Sequence, residues 1–266
     1  MPIRTARKPH KPSTIRETRR TPVSRLIRRG VIEASGSVSR PLPTIKADGA
    51  LAPIEPTQFV ELVEPLLAQQ DLPGLLCLLK ARWHPEQIRE LLRSGHADAR
   101  KVALLALALV GPTCCAEELA LQLRDPDPVI NQLAEHALWA VWFRSGKTPE
   151  ANQLVCRGAE ALNEKDLCGA VELFSQAIRC DPNFPEAYNQ RAITYYLMED
   201  YRRSIADCYR TIRRMPCHFG AWAGRGHCHA HLNQLSQAVE CYEKALSINP
   251  HLECVRETVT ELKKRM

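Results

Sequence analysis

Three prolines, Pro182, Pro216 and Pro250, are evenly spaced along the chain, and the residues between them recur with the same spacing. A period of roughly 34 residues is the mark of one supersecondary unit being copied, so it limits the fold before composition is considered. Registers starting at residues 151, 185 and 219 align the copies without a gap. The fourth position is large (Leu154, Tyr188, Trp222) and the eighth is small (Gly158, Ala192, Gly226). The eleventh holds Ala161, Tyr195 and His229, and the twentieth is small again (Ala170, Ser204, Ala238). The twenty-fourth holds Phe174, Cys208 and Tyr242, and the twenty-seventh Ala177, Thr211 and Ala245. Large and small residues at these spacings describe two antiparallel helices that interlock with the next pair. Proline marks each joint, because it lacks an N–H and restricts the residue before it.

The pattern over 147–266 resembles the tetratricopeptide repeat, in three copies spanning 151–184, 185–218 and 219–252. That resemblance implies an all-α, right-handed α-solenoid of helix hairpins with a concave face lined by the first helix of each pair. Two positions depart from the family pattern: His229 replaces a usual Tyr and Cys208 a usual aromatic, which predicts softer packing around the second copy. After the last copy, Leu252, Val255, Val259 and Leu262 form one helical stripe, the signature of a helix capping the final repeat.

Residues 51–146 also read as short helices separated by tight breaks. One constant shift lays Leu92-Arg93 on Leu123-Arg124, Ala103 on Ala134, and Ala106-Leu107 on Ala137-Leu138. This segment resembles the short bacterial HEAT-like repeat, with two copies and a degenerate helical pair ahead of them. An arginine usual in that pattern is absent, Ile130-Asn131 standing in its place.

Residues 1–50 differ in kind. They hold 12 Lys and Arg against 3 Asp and Glu, a net +9 in a chain whose total is +6. Rich in Pro, Ser and Thr and without sustained apolar periodicity, they predict a disordered basic arm. Its charge suits nucleic acid or another polyanion, a presequence, or simply solubility. Eleven cysteines, an odd number and mostly within helical periodicity, read as thiols in a reducing compartment rather than a disulfide framework. The longest apolar run, Val102 to Val110, is too short to cross a bilayer, and no secretory signal is evident. The expectation is a soluble, cytoplasmic chain without membrane contact.

No motif for nucleotide binding, nucleophilic catalysis or zinc hydrolysis occurs. The expectation is therefore no enzyme, no catalytic residues, no cofactor and no metal. His227 and His231 are i,i+4 neighbours that could hold a metal, but no third ligand is identifiable. Groove histidines contacting a peptide are the commoner arrangement. By register the groove is lined by Asn152, Val155 and Cys156, then Asn189, Gln190, Ile193 and Tyr196, then His227 and His231. The co-chaperone subtype of the family grips a carboxylate with Lys, Asn and Arg. Here Val155, Ala159, Gln190, Gly220 and Gly224 occupy the matching positions, so that grip is missing. The predicted function is a non-catalytic scaffold or adaptor that holds a peptide or helix of a protein partner in the groove. The alternative is a nucleic-acid-associated factor, with the arm supplying affinity and the repeats recruiting a protein.

Overall fold

The structure, a computed structural model, describes residues 51–266. The expectations for the basic arm lie outside the described residues. Among the described residues the regular elements are thirteen α-helices and two short 3-10 turns. The first six helices are α1 (Pro56–Ala68), α2 (Leu72–Arg82), α3 (Pro85–Glu90), α4 (Ala97–Val110), α5 (Ala116–Gln122) and α6 (Pro128–Phe143). Three hairpins follow: α7 (Pro149–Asn163) with α8 (Leu167–Cys180), α9 (Pro185–Leu197) with α10 (Tyr201–Arg214), and α11 (Phe219–His231) with α12 (Leu235–Ile248). Helix α13 (Glu253–Arg265) packs on α12 and buries Val255, Val259 and Leu262, the expected capping stripe.

Local chemistry sets the helix ends. Proline occupies the first helical turn of α1, α2, α3, α6, α7 and α9, where its missing N–H costs nothing. Asp166 and Asp200 cap α8 and α10 by accepting backbone N–H groups of Gly169 and Arg203. Just before the second helix of each hairpin the chain reverses through a left-handed residue at one repeat position, Lys165 (φ 67°), Glu199 (φ 62°) and Asn233 (φ 57°). Gln70 (φ 56°) turns α1 into α2 in the same way.

Within the hairpins, the small eighth position exists for the aromatic at the twenty-fourth. A Cβ on Gly158 would lie 2.5 Å from the Phe174 ring, and one on Gly226 would lie 2.6 Å from Tyr242. The second copy makes both partners intermediate in size. Ala192 and Cys208 are buried, and Ser204 donates to the Ala192 carbonyl at 2.8 Å. Relative to the other copies, the eighth position is larger and the twenty-fourth smaller.

In the first part, α5 follows α3 at the same offset as α6 follows α4, the shift read in the sequence. Arg144, just past α6, donates to the carbonyls of Ala108 (2.5 Å), Leu107 (3.4 Å) and Gly111 (3.3 Å), closing the C-terminus of α4. Burial lowers its pKa to about 10, which leaves it charged at neutral pH.

The stack is not purely nearest-neighbour. One apolar core runs from Phe59, Leu104 and Leu138 into Phe219, Tyr242 and Val259, while a second holds Leu154, Phe174 and Phe184. The bridge is α6, which folds back over the second and third hairpins. Trp142 stacks on His218 with ring centres 3.9 Å apart, and Trp139 meets Phe219 edge-on at 5.9 Å. Asn249, fully buried, donates to Glu135 at 3.3 Å, and Arg124 donates to the Ser247 carbonyl. No helix among the described residues is long and apolar enough to cross a membrane.

Candidate partner-binding face

The residues expected to line the groove fall into two groups. Val155, Asn189 and Gln190 are buried, which corrects their assignment as open lining. Asn189 and Gln190 both donate to Oε1 of Glu186, at 3.1 and 2.5 Å. Oε2 of Glu186 meets Nε2 of His218 at 2.9 Å, and neither side chain reaches solvent. His218 in turn accepts the backbone N–H of Ala221 at 3.0 Å, starting α11. Trp142 closes the network from α6. A Cβ at Gly220 would lie 3.0 Å from the Trp139 ring, so that ring leaves little room for a side chain there. The N-terminal ends of α9 and α11 are thus covered by the chain's own α6.

The physical reason is composition. Helix α6 has apolar residues on nearly every side, including Trp139 and Trp142 on successive turns, and one neighbour cannot bury all of them. Its α4 and α5 contacts cover one flank, and the repeats cover the other.

In the second group, Ile193, Tyr196, His227 and His231 lie in the C-terminal halves of α9 and α11, while Asn152 is in the first turn of α7 and Cys156 at its middle. Asn152, Cys156, Ile193, Tyr196 and His227 are half-buried and His231 is exposed. Asn152 is spent locally, exchanging hydrogen bonds with the backbone of Gly146 at 3.0 and 3.2 Å. The structure brings together Tyr196, His227 and His231. The Tyr196 hydroxyl meets Nε2 of His231 at 2.9 Å, and His231 stacks on Tyr201 with centres 4.6 Å apart. His227 pairs through Nδ1 with the Tyr242 hydroxyl at 2.8 Å. Burial, with His231 alongside, lowers the His227 pKa to about 4, so its ring is neutral at pH 7. Burial pushes the Tyr196 hydroxyl up to about 12. Among the described residues no three His, Cys, Asp or Glu side chains are grouped to hold a metal.

Beside this cluster are the exposed apolar residues Leu197 (44%) and Met198 (42%), two of only a few large ones on the described surface. A shallow cavity of about 410 Å³ opens here, lined by Met198, Tyr201 and Leu232 with Glu199, Asp200 and Arg202. Sequence reasoning missed the Glu186–His218 pair and the two tryptophans. A signal was present: the last position of the repeats reads Phe184, His218, Leu252, a single ionisable group in an apolar slot.

Comparison with known proteins finds tetratricopeptide repeats within the chain. The tetratricopeptide repeat pattern matches residues 220–252, nearly the whole third copy, and residues 173–206, which straddle the first and second. A TPR repeat-containing protein of Rhizobium etli is 28% identical over 143 residues, covering 54% of this chain and 69% of that one. Small glutamine-rich tetratricopeptide repeat-containing protein 2 of Mycosarcoma maydis is 26% identical over 117 residues, 44% of this chain and 33% of its own length. The chain thus spans about two thirds of the first relative and a third of the second. Among solved structures, the first TPR of Spaghetti (RPAP3) bound to an HSP90 peptide matches 44% of this chain and 92% of its own, with 19% identity and a TM-score of 0.43. YrrB, described as a TPR protein with an unusual peptide-binding site, matches 77% of this chain and 91% of its own, with 16% identity and a TM-score of 0.40. The chain carries tetratricopeptide repeats in an all-helical solenoid.

Proposed function

We propose that this chain of tetratricopeptide repeats is a non-catalytic adaptor, holding an apolar or amphipathic segment of a protein partner against the uncovered half of the lining helices. The repeats themselves support a protein-interaction role, since stacked hairpins present an extended face. The observation that carries the finer reading is the exposed Leu197–Met198 pair beside Tyr196, His231 and the shallow cavity. Exposed apolar side chains grouped beside satisfied polar ones fit a face that is dry when a partner is seated. Ile193, Tyr196, Leu197 and His231 would make the contacts. Asn189 and Gln190 would act only through the buried network beneath α6. The matched offsets of α3 to α5 and α4 to α6 support a HEAT-like reading of that part, with α6 anchoring it to the repeats.

The test is affinity capture with the full chain against the double variant Leu197→Glu/Met198→Glu. Both positions are exposed, so the solenoid keeps its melting temperature while the apolar face is lost. A discrete set of proteins held by the wild type and released by the variant supports the reading. An identical set from both places binding elsewhere.

A further inference from the structure

We propose that the outward face of α10 is a second interaction surface, built to dock an extended acidic segment of a protein. Helix α10 carries Arg202, Arg203, Arg210, Arg213 and Arg214, and its one acidic residue, Asp207, is only 1% exposed. Asp207 is consumed internally: Arg191 of α9 holds it with Nε at 2.7 Å and Nη2 at 3.0 Å, and Arg210 holds it at 2.7 Å. Asp200, at the cap, is taken by Arg203 at 2.8 Å. On the flanking second helices, Glu172 pairs with Arg179 and Glu243 with Lys263. Arg202 and Arg213 have no carboxylate within ion-pair distance among the described residues. The face therefore keeps positive charge that the fold does not neutralise.

Tyrosines hold these guanidinium groups in place. Arg214 lies 4.7 Å and Arg210 5.9 Å from the centre of the Tyr188 ring, and Arg203 lies 5.2 Å from Tyr195. Arg213 and Arg225 lie 6.0 and 5.9 Å from Tyr209, itself 48% exposed. Arg203, Arg210 and Arg214 spend part of their N–H edge on Asp200, Asp207 and the Pro182 and Arg210 carbonyls, whereas Arg213, over Tyr209, keeps its whole edge for a carboxylate. Its rotamer is already restricted, so less side-chain entropy is lost on binding.

The same stacking argues against single-stranded nucleic acid. Bases bind on open aromatic faces, and here arginines lie over Tyr188, Tyr195 and Tyr209. Helical rise spaces Arg203, Arg210 and Arg214 by about 10 and about 6 Å along the axis. An extended chain brings side chains back to one face every ~6.8 Å, so carboxylates on alternate residues match the shorter, Arg210–Arg214 step.

The experiment uses the full chain and a fluorescein-labelled peptide of about twelve residues alternating Glu and Ser, followed by anisotropy in ~50 mM salt. The variants are Arg202→Gln/Arg213→Gln, which removes exposed charge, and Tyr209→Leu, which removes a stacking ring without changing charge. Residues 1–50 add the same parallel binding to every protein compared, so it is titrated separately with the isolated 1–50 peptide and subtracted before affinities are compared. The double variant weakens binding about tenfold, and Tyr209→Leu weakens it about threefold, with melting temperatures unchanged. Equal affinity of wild type and double variant overturns the proposal, as does equal binding of a Gln/Ser peptide. So does a single-stranded oligonucleotide that outbinds the peptide and loses the same factor in the double variant, because the surface then serves nucleic acid.

Discussion

Two glycines in one helix give opposite answers to the same substitution. Gly224 and Gly226 both lie inside α11, where replacing Gly by Ala favours the helix by about 1 kcal/mol. At Gly224 a new Cβ finds only Sγ of Cys208, at 3.6 Å, an ordinary contact. Gly224→Ala therefore stabilises by up to ~1 kcal/mol. At Gly226 the Cβ meets the Tyr242 ring at 2.6 and 2.7 Å, well inside the ~3.5–4.0 Å that carbon atoms prefer. Tyr242 is buried and tied to His227, so the ring cannot swing into solvent. Overpacking of this kind costs about 1–3 kcal/mol, and the short contact puts Gly226→Ala at the upper end. Set against the helix gain, the net is a loss of ~2 kcal/mol, or a fall in melting temperature of ~4–8 °C. Thermal and urea unfolding of the two single variants measure this directly. If both move stability in the same direction, the pairing of the eighth position with the twenty-fourth is not what fixes the hairpin.

Other perturbations test the remaining joints. Trp142→Ala removes a fully buried ring from the α6–repeat contact and lowers stability by about 3–5 kcal/mol, with faster proteolysis at residues 144–148 as the structural readout. His218→Leu leaves the Glu186 carboxylate buried without its partner and costs about 3–5 kcal/mol, whereas Glu186→Gln with His218→Leu costs clearly less; equal losses would deny the coupling. His227, with a folded pKa of about 4 against an ordinary 6.5, binds its proton more readily when unfolded. Its contribution, at most about 3 kcal/mol, is complete above pH 6.5 and is lost as pH falls toward 4. The variant His227→Gln flattens that part of the stability profile, and an unchanged acid limb would refute it. If nucleic acid is a ligand, binding resides in residues 1–50 and falls by orders of magnitude between ~50 and ~200 mM salt, as filter binding with and without those residues reveals.

The hairpins were legible because their constraints are local and periodic. Gly158 and Phe174, or Gly226 and Tyr242, face each other across the two helices of one unit, and copying the unit repeats the signal. In the second copy the same two positions hold Ala192 and Cys208, both buried. The lining of the groove was legible as a face but not as an opening. Asn189 and Gln190 are buried against Glu186, which reaches α6 through His218 and Trp142, and α6 lies well before them in the chain and touches only part of the array. No period records a contact made once. Trp139, Trp142 and His218 break their local patterns without naming one another, so their meeting follows from the fold alone.

The central claim is that a partner segment rests on the uncovered half of the lining helices. The direct measurement is photocrosslinking in the full chain, with benzoylphenylalanine placed at position 197 on that face and at position 121 on the distant α5. Leu197 and Leu121 are both exposed, so neither replacement disturbs the core. The account predicts a discrete partner adduct from position 197 that is absent from position 121. Adducts from position 121 alone, or none from position 197 under conditions where a partner is captured, would contradict it.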